Sequence, residues 1–171
     1  IDVLEKVIYL NTFSKTMTST IRLSYIVLPK ALAKKFHEEF SFYSCTVSNL
    51  DQYTMARFMD GGYYETHINR MRNLYRAKRD ALLSEIHKSK LSKFATVYEE
   101  DAGLHFILGV NTELSDKEFC KRAKSKGVNI HALSEYYFEA KPSAHKFIIN
   151  YSSVEKKQMQ RAVQALSNLI H

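Results

Sequence analysis

Two apolar runs, Val7-Ile8-Tyr9-Leu10 and residues 21–28, stand either side of the polar stretch Asn11-Thr12-Phe13-Ser14-Lys15-Thr16-Met17-Thr18-Ser19-Thr20. Both runs are rich in β-branched and aromatic residues, and the polar stretch that separates them is rich in hydroxyls, so they read as strands. The lysine between them is then expected on a turn between two buried strands, partly desolvated, with Arg22 at the head of the second run.

The rest of the chain alternates between helical and extended patterns. Pro29 heads the helix-like stretch KALAKKFHEEF, where its missing N–H costs nothing. Gly61-Gly62 separates two helical patterns; the second, about residues 63–87, places Ile68, Met71, Tyr75, Leu82 and Ile86 on one face. The stretch KSKLSK, residues 88–93, reads as a loop and as the start of a second subdomain. FATVYEE and LHFILGV read as strands around a turn at Asp101-Ala102-Gly103. Ser115 and Glu118 have capping-box spacing ahead of a helix that Gly127 ends, and Ser152 and Glu155 repeat that spacing ahead of a last helix. The inner face of that last helix carries Met159, Ala162, Val163, Leu166, Leu169 and Ile170, and further short strands are expected at 128–131 and 146–151. The sum is a mixed α/β chain without internal repeats.

Composition narrows the function classes. At 171 residues the chain has the size of one domain and can bury a core. No apolar stretch is long enough to span a bilayer. Cys45 and Cys120 lie far apart without metal-ligand spacing and read as reduced thiols of a cytosolic protein. The net charge of +7 favours acidic partners, but the basic residues are spread along the chain. Arg70, Arg72, Arg76, Lys78, Arg79, Lys88 and Lys90 have acidic residues among them and read as a solvated or domain-contacting face rather than a DNA site. Tyr63, Tyr64, Tyr136 and Tyr137 read as core or dimer-interface residues.

The opening stretch carries the chemistry. Desolvation destabilises the Lys15 ammonium and makes the neutral, nucleophilic amine accessible. Such an amine forms an imine with an aldehyde. Thr12 and Ser14 offer hydroxyls, and the planar Arg22 guanidinium suits a phosphate dianion. Taken singly, each of these residues is an ordinary surface group; the combination fits pyridoxal 5′-phosphate (PLP), which has both an aldehyde and a phosphate.

The segment TFSKTMTSTIRLSYIVLP resembles the PLP-lysine segment of fold-type I aminotransferases. More narrowly, it resembles the aminotransferase-like domain of MocR-type regulators in the GntR superfamily. The resemblance continues through MARFMDGGYYETHINRMRNLYRAKRDALLSEI, AGLHFILGV, GVNIHALSEYYF and FIINYSSVEKKQMQRAVQALSNLI, so it covers essentially the whole chain. It implies that Lys15 is the imine-forming lysine, that Thr12, Ser14 and Arg22 bind the phosphate, and that Gly103, Leu104, His131 and Ala132 line an effector or substrate pocket. It also implies the C-terminal portion of the fold: the end of the large PLP-binding domain with connecting helices at 1–87, and a small α+β subdomain at 88–171.

Two departures refine this expectation. Catalytic relatives commonly carry an arginine for the substrate carboxylate on the strand that here reads FIINYSS, and the matching position is Ile148. A regulator that senses an amine or amino acid tolerates that loss; a PLP-dependent aminotransferase acting on an amino acid is the alternative. The family also places the ring-pairing aspartate, the ring-stacking aromatic and a winged-helix DNA-binding domain upstream of the lysine, where only fourteen residues precede Lys15. A cytoplasmic homodimer is implied, with DNA bound through that N-terminal domain and PLP bound weakly or not at all by this piece alone.

Overall fold

A computed structural model of the chain describes residues 4–14, 16–18, 20–101, 103–138 and 145–170. The chain divides into two compact units, 1–69 and 70–171. The division falls inside a long helix, whereas the expected boundary at 87/88 lies within the second unit. The reason is packing: Leu82 and Ile86, in the second half of that helix, are buried in the core of the second unit.

In the first unit, β1 (Tyr9–Thr12) and β2 (Ser24–Val27) pair antiparallel, Tyr9 opposite Val27 and Thr12 opposite Ser24. Both strands start later than their apolar runs. The ladder is made of backbone groups, so it extends into Asn11 and Thr12 despite their polar side chains. At the other end, Ile21 is drawn into the turn by its N–H donating to the Thr18 carbonyl at 3.1 Å. Pro29 is the N-cap of α1 (Lys30–Phe40) rather than its first residue. The Ser48 hydroxyl accepts the Asp51 N–H at 3.1 Å and caps α2 (Asn49–Asp60). Gly62, at φ +72°, takes the left-handed turn that lets α3 (Tyr63–Lys88) start afresh.

No residue of β1 or β2 is buried: Leu10 is 75% and Val27 52% exposed. The stripe Leu32, Phe36 and Phe40 on α1 is exposed as well. Unpaired strand edges beside apolar faces promote association. Light scattering on this chain by itself is therefore expected to show species larger than a monomer. Leu10→Lys with Ile26→Lys is expected to shift it towards the monomer. A wild-type chain that scatters as a monomer counts against this reading.

In the second unit, four antiparallel strands run in the order β3-β4-β6-β5: β3 (Ala95–Tyr98), β4 (His105–Val110), β5 (His131–Ala132) and β6 (Lys146–Asn150). Alternation sorts the two faces. Phe106, Leu108, Val110, Phe147 and Ile149 are buried with Leu82 and Ile86 of α3, Phe119 of α4 (Asp116–Ser125), and Met159, Val163 and Leu166 of α5 (Lys156–Ser167). His105, Ile107, Gly109, Lys146, Ile148 and Asn150 take the opposite face. There a Cβ at Gly109 would lie 2.9 Å from the Tyr98 ring, which would have to shift; Lys146 Nζ stands over that ring 5.0 Å from its centroid.

Several expected details change. The stretch 88–93 is not an open loop: residues Lys90–Lys93 form a 3-10 turn and Leu91 is fully buried. Of the strand expected over 128–131, only His131 pairs, together with Ala132. Ser115 accepts the Glu118 N–H at 3.3 Å as expected, but the box does not close. The Glu118 carboxylate instead takes the Arg122 guanidinium at 2.7 Å, which holds it below the usual carboxylate range. The last helix is capped three residues later than expected, by Glu155 with Gln158, whose side-chain oxygen accepts the Glu155 N–H at 2.9 Å. Ser152 is engaged elsewhere, donating its hydroxyl to Asn150 Oδ1 at 2.7 Å.

Candidate functional site

The turn between β1 and β2 is built on Phe13, which is 5% exposed. Its ring lies 5.5 Å from that of Tyr25 and, edge-on, 5.8 Å from that of Tyr64. Its N–H donates to the Leu23 carbonyl at 2.9 Å, and its carbonyl accepts the N–H groups of Thr16 and Met17 at 3.2 and 2.8 Å. A buried aromatic thus anchors a tight turn.

Three of the expected site residues meet there. Thr12 Oγ1 donates to the Leu23 carbonyl at 3.3 Å and accepts the Ser14 N–H at 3.3 Å. Ser14 Oγ donates to the Ile21 carbonyl at 2.7 Å and accepts from the Arg22 guanidinium at 3.2 Å. Arg22 is exposed and pairs with no carboxylate among the described residues. A forked cation held against a hydroxyl, with no carboxylate paired to it among the described residues, suits a phosphate dianion. On this observation the residues fit the phosphate of PLP.

Lys15 lies outside the described residues, as does Ala102 of the expected 101–103 turn. Both sequence neighbours of Lys15 are held. Ser14 is tied as above, while Thr16 accepts the Tyr64 hydroxyl at Oγ1 (3.4 Å) and its carbonyl meets His67 Nε2 at 3.0 Å. The sequence expectations do not include His67, and they place Tyr64 only in the core or a dimer interface. Their spacing of three on α3, which places both on one helical face, was the available signal.

The other expected site residues belong to the second unit. Gly103, at φ +80°, has its carbonyl accepting the Tyr151 hydroxyl at 2.9 Å, and the Leu104 carbonyl accepts the Tyr151 N–H at 3.2 Å. Tyr151 is 2% exposed, and burial pushes its phenol above the usual tyrosine value. His131 is exposed, lies across from Ile148, and has Nδ1 3.6 Å from a Glu135 carboxylate oxygen. Ala132 is 1% exposed and belongs to the hydrophobic core. The four therefore flank β6 rather than forming one cluster: Gly103 and Leu104 on the β4 side, His131 and Ala132 on β5.

The basic and aromatic residues weighed in the sequence also find places. Lys78 donates to the Ser152 carbonyl at 2.6 Å, and Arg79 to Asp80 at 2.9 Å and the Glu100 carbonyl at 3.1 Å. Arg70, Arg72 and Arg76 are exposed. Tyr63, Tyr136 and Tyr137 are more than half exposed, so core placement is excluded for them. Among the described residues no His, Cys, Asp or Glu cluster could hold a metal ion, and no helix is long and apolar enough to cross a membrane.

Comparison with known proteins gives consistent matches. Residues 2–166 match the family described as aminotransferase class I and II. An uncharacterised HTH-type transcriptional regulator, YdeL of Bacillus subtilis, is 35% identical over 94% of this chain and 34% of its own length. The probable rhizopine catabolism regulatory protein MocR of Rhizobium meliloti is 32% identical over 94% of this chain and 32% of its own length. The chain thus spans about a third of the curated relatives it matches. Among solved structures, the kynurenine aminotransferase of Pyrococcus horikoshii superposes with a TM-score of 0.84 at 24% identity, over 98% of this chain and 41% of that one.

Proposed function

The chain belongs to the class I and II aminotransferase family and has the fold of the fold-type I PLP-dependent transferases, and we propose that it is the C-terminal part of the sensing domain of a bacterial MocR-type transcription regulator. In this reading PLP is held covalently by the Lys15 amine, an amine or amino-acid effector exchanges with that lysine, and the response passes to a winged-helix domain elsewhere in a longer, cytoplasmic, homodimeric protein. The carrying observation is the Arg22–Ser14 pair, a cation and a hydroxyl in contact at 3.2 Å with no carboxylate paired to Arg22 among the described residues.

When bound, PLP supplies an aldehyde able to exchange one primary amine for another. The chain's own residues do the rest. Arg22 and Ser14 bind the phosphate, and Thr12, by accepting the Ser14 N–H, fixes the backbone that presents Ser14. Tyr64 and His67 hold Thr16, and with it the C-terminal flank of Lys15. Two things favour regulation over catalysis: the regulator relatives at 32–35% identity, and Ile148 at the position the resemblance assigns to a carboxylate-binding arginine. The superposition on a kynurenine aminotransferase is what favours the alternative, a PLP-dependent aminotransferase.

Arg22 gives the test. A charge-assisted hydrogen bond contributes about 1.5–3 kcal/mol. Arg22→Ala in the full-length protein is therefore expected to weaken PLP affinity by roughly 10- to 100-fold. Equilibrium titration of the apoprotein, followed by cofactor absorbance, measures it. Unchanged affinity in a folded variant would reduce Arg22 to a solvated strand-end charge.

A further inference from the structure

The turn between β1 and β2 is held on either side of Lys15 by different groups. On the Ser14 side a hydroxyl and the Arg22 guanidinium meet, a pairing suited to an anion. On the Thr16 side the polar groups are spent on the protein itself. The Thr16 N–H donates to the Phe13 carbonyl at 3.2 Å. Its hydroxyl donates to the same carbonyl at 3.4 Å and accepts from the Tyr64 hydroxyl at 3.4 Å. Its carbonyl meets His67 Nε2 at 3.0 Å. All three polar groups of Thr16 are therefore engaged.

A carbonyl oxygen can only accept, so the His67 ring must carry a hydrogen on Nε2. The helix that supplies this donor is fixed where it does so. The Gly62 carbonyl accepts the Thr66 N–H at 3.2 Å and the Thr66 hydroxyl at 3.1 Å, which closes the first turn of α3. The Tyr64 ring stands edge-on to the buried Phe13 ring, one turn of α3 before His67. All of these residues belong to the first unit. Packing on Phe13 accounts for Tyr64, whereas the contact given for His67 is the Thr16 carbonyl.

We propose that His67 is a positioning residue for Lys15: its Nε2–H, bonded to the Thr16 carbonyl, holds the chain so that the lysine amine meets the aldehyde of a PLP anchored at Ser14 and Arg22. Resting on the PLP reading above, this divides the labour. Arg22 and Ser14 set how tightly the phosphate is held, and His67 sets how readily the amine reaches the aldehyde. The covalent step joins the amine nitrogen to the aldehyde carbon, and the aldehyde oxygen leaves as water with the two amine hydrogens. An amine held near its aldehyde reacts at an effective concentration that falls once its backbone is freed. Loss of the His67 bond therefore weakens the covalent hold and spares the phosphate hold.

Pyridoxamine 5′-phosphate separates the two holds, because it has the ring and phosphate of PLP without the aldehyde. Apo full-length protein is titrated with each compound, and the wild type is expected to prefer PLP. His67→Phe keeps a flat ring on α3 without the N–H. It is expected to cut that preference about three- to tenfold, with affinity for pyridoxamine phosphate unchanged within about twofold. His67→Gln, whose amide returns an N–H donor, is expected to recover most of the preference. Independently of any variant's folding, NMR of isotope-labelled histidine in the wild type is expected to find the His67 proton on Nε2. A neutral ring protonated on Nδ1 would overturn the role given to His67. So would a PLP preference undiminished in His67→Phe, an equal loss of both compounds, or a loss that His67→Gln does not recover. A wild type that binds both compounds alike would instead sink the covalent role of Lys15, and this inference with it.

Discussion

Lys15→Ala in the full-length protein is expected to abolish the visible absorption of the lysine-bound cofactor altogether, the largest spectroscopic effect any single substitution in this chain should have. The argument is chemical. An imine requires a primary amine, and alanine offers none; arginine at the same position keeps a positive charge but cannot replace that amine, so Lys15→Arg is expected to lose the absorption as well. In the proposed function, phosphate binding rests on other residues, chiefly Arg22 and Ser14, in contact at 3.2 Å. The variants should therefore still bind PLP non-covalently, more weakly, and release it on dialysis. Borohydride reduction followed by peptide mapping separates the outcomes. Label on the peptide containing Lys15 in the wild type, and on none in the variants, supports the assignment. Undiminished absorption in Lys15→Ala, with label on a different lysine, would sink it.

What the sequence made legible, and what it hid, follows from which interactions are local. The face of α3 carrying Tyr75, Leu82 and Ile86 could be read from spacing, because burial of one helical face leaves a periodic trace. Gly127, at φ +80° just beyond α4, could be read for the same reason: only the local backbone decides it. Strand limits could not, since Asn11 and Thr12 are in β1 through the backbone of Tyr25 and Ser24, which composition does not record. The caps failed through competition. Glu118 has Arg122 one turn away and prefers it, while Ser152 is taken by Asn150 before it can cap α5. At the candidate site, that Thr12, Ser14 and Arg22 come together was visible because all three lie on one short stretch. Tyr64 and His67 come from α3 and reach Thr16 only through tertiary folding. Ala132 stands next to His131 in the sequence, but alternation along a strand puts neighbours on opposite faces, and its face is the core.

That alternation sets up the largest stability effect expected of a core substitution, at adjacent positions of one strand. Phe147 and Ile148 are neighbours in β6, which pairs with β4 on one side and β5 on the other. Phe147 is fully buried, lies opposite both Leu108 and Ala132, and stacks on Phe119 with ring centroids 4.6 Å apart. Ile148 points to the other face, opposite Ile107 and His131, and is only half-buried. Truncating a fully buried phenylalanine costs about 3–5 kcal/mol, because lost apolar transfer adds to the cavity left among atoms that cannot close on it. Against a typical total of about 5–15 kcal/mol, Phe147→Ala should leave the second unit marginal. Ile148→Ala removes less buried area and leaves no enclosed void, so its cost is expected to be under half as large. Urea unfolding of the full-length variants, read by a probe in the second unit, measures both. A markedly larger drop in midpoint for Phe147→Ala supports the two-faced sheet described here. Equal drops would show that the face carrying Ile148 is buried as deeply in the full-length protein as the face carrying Phe147.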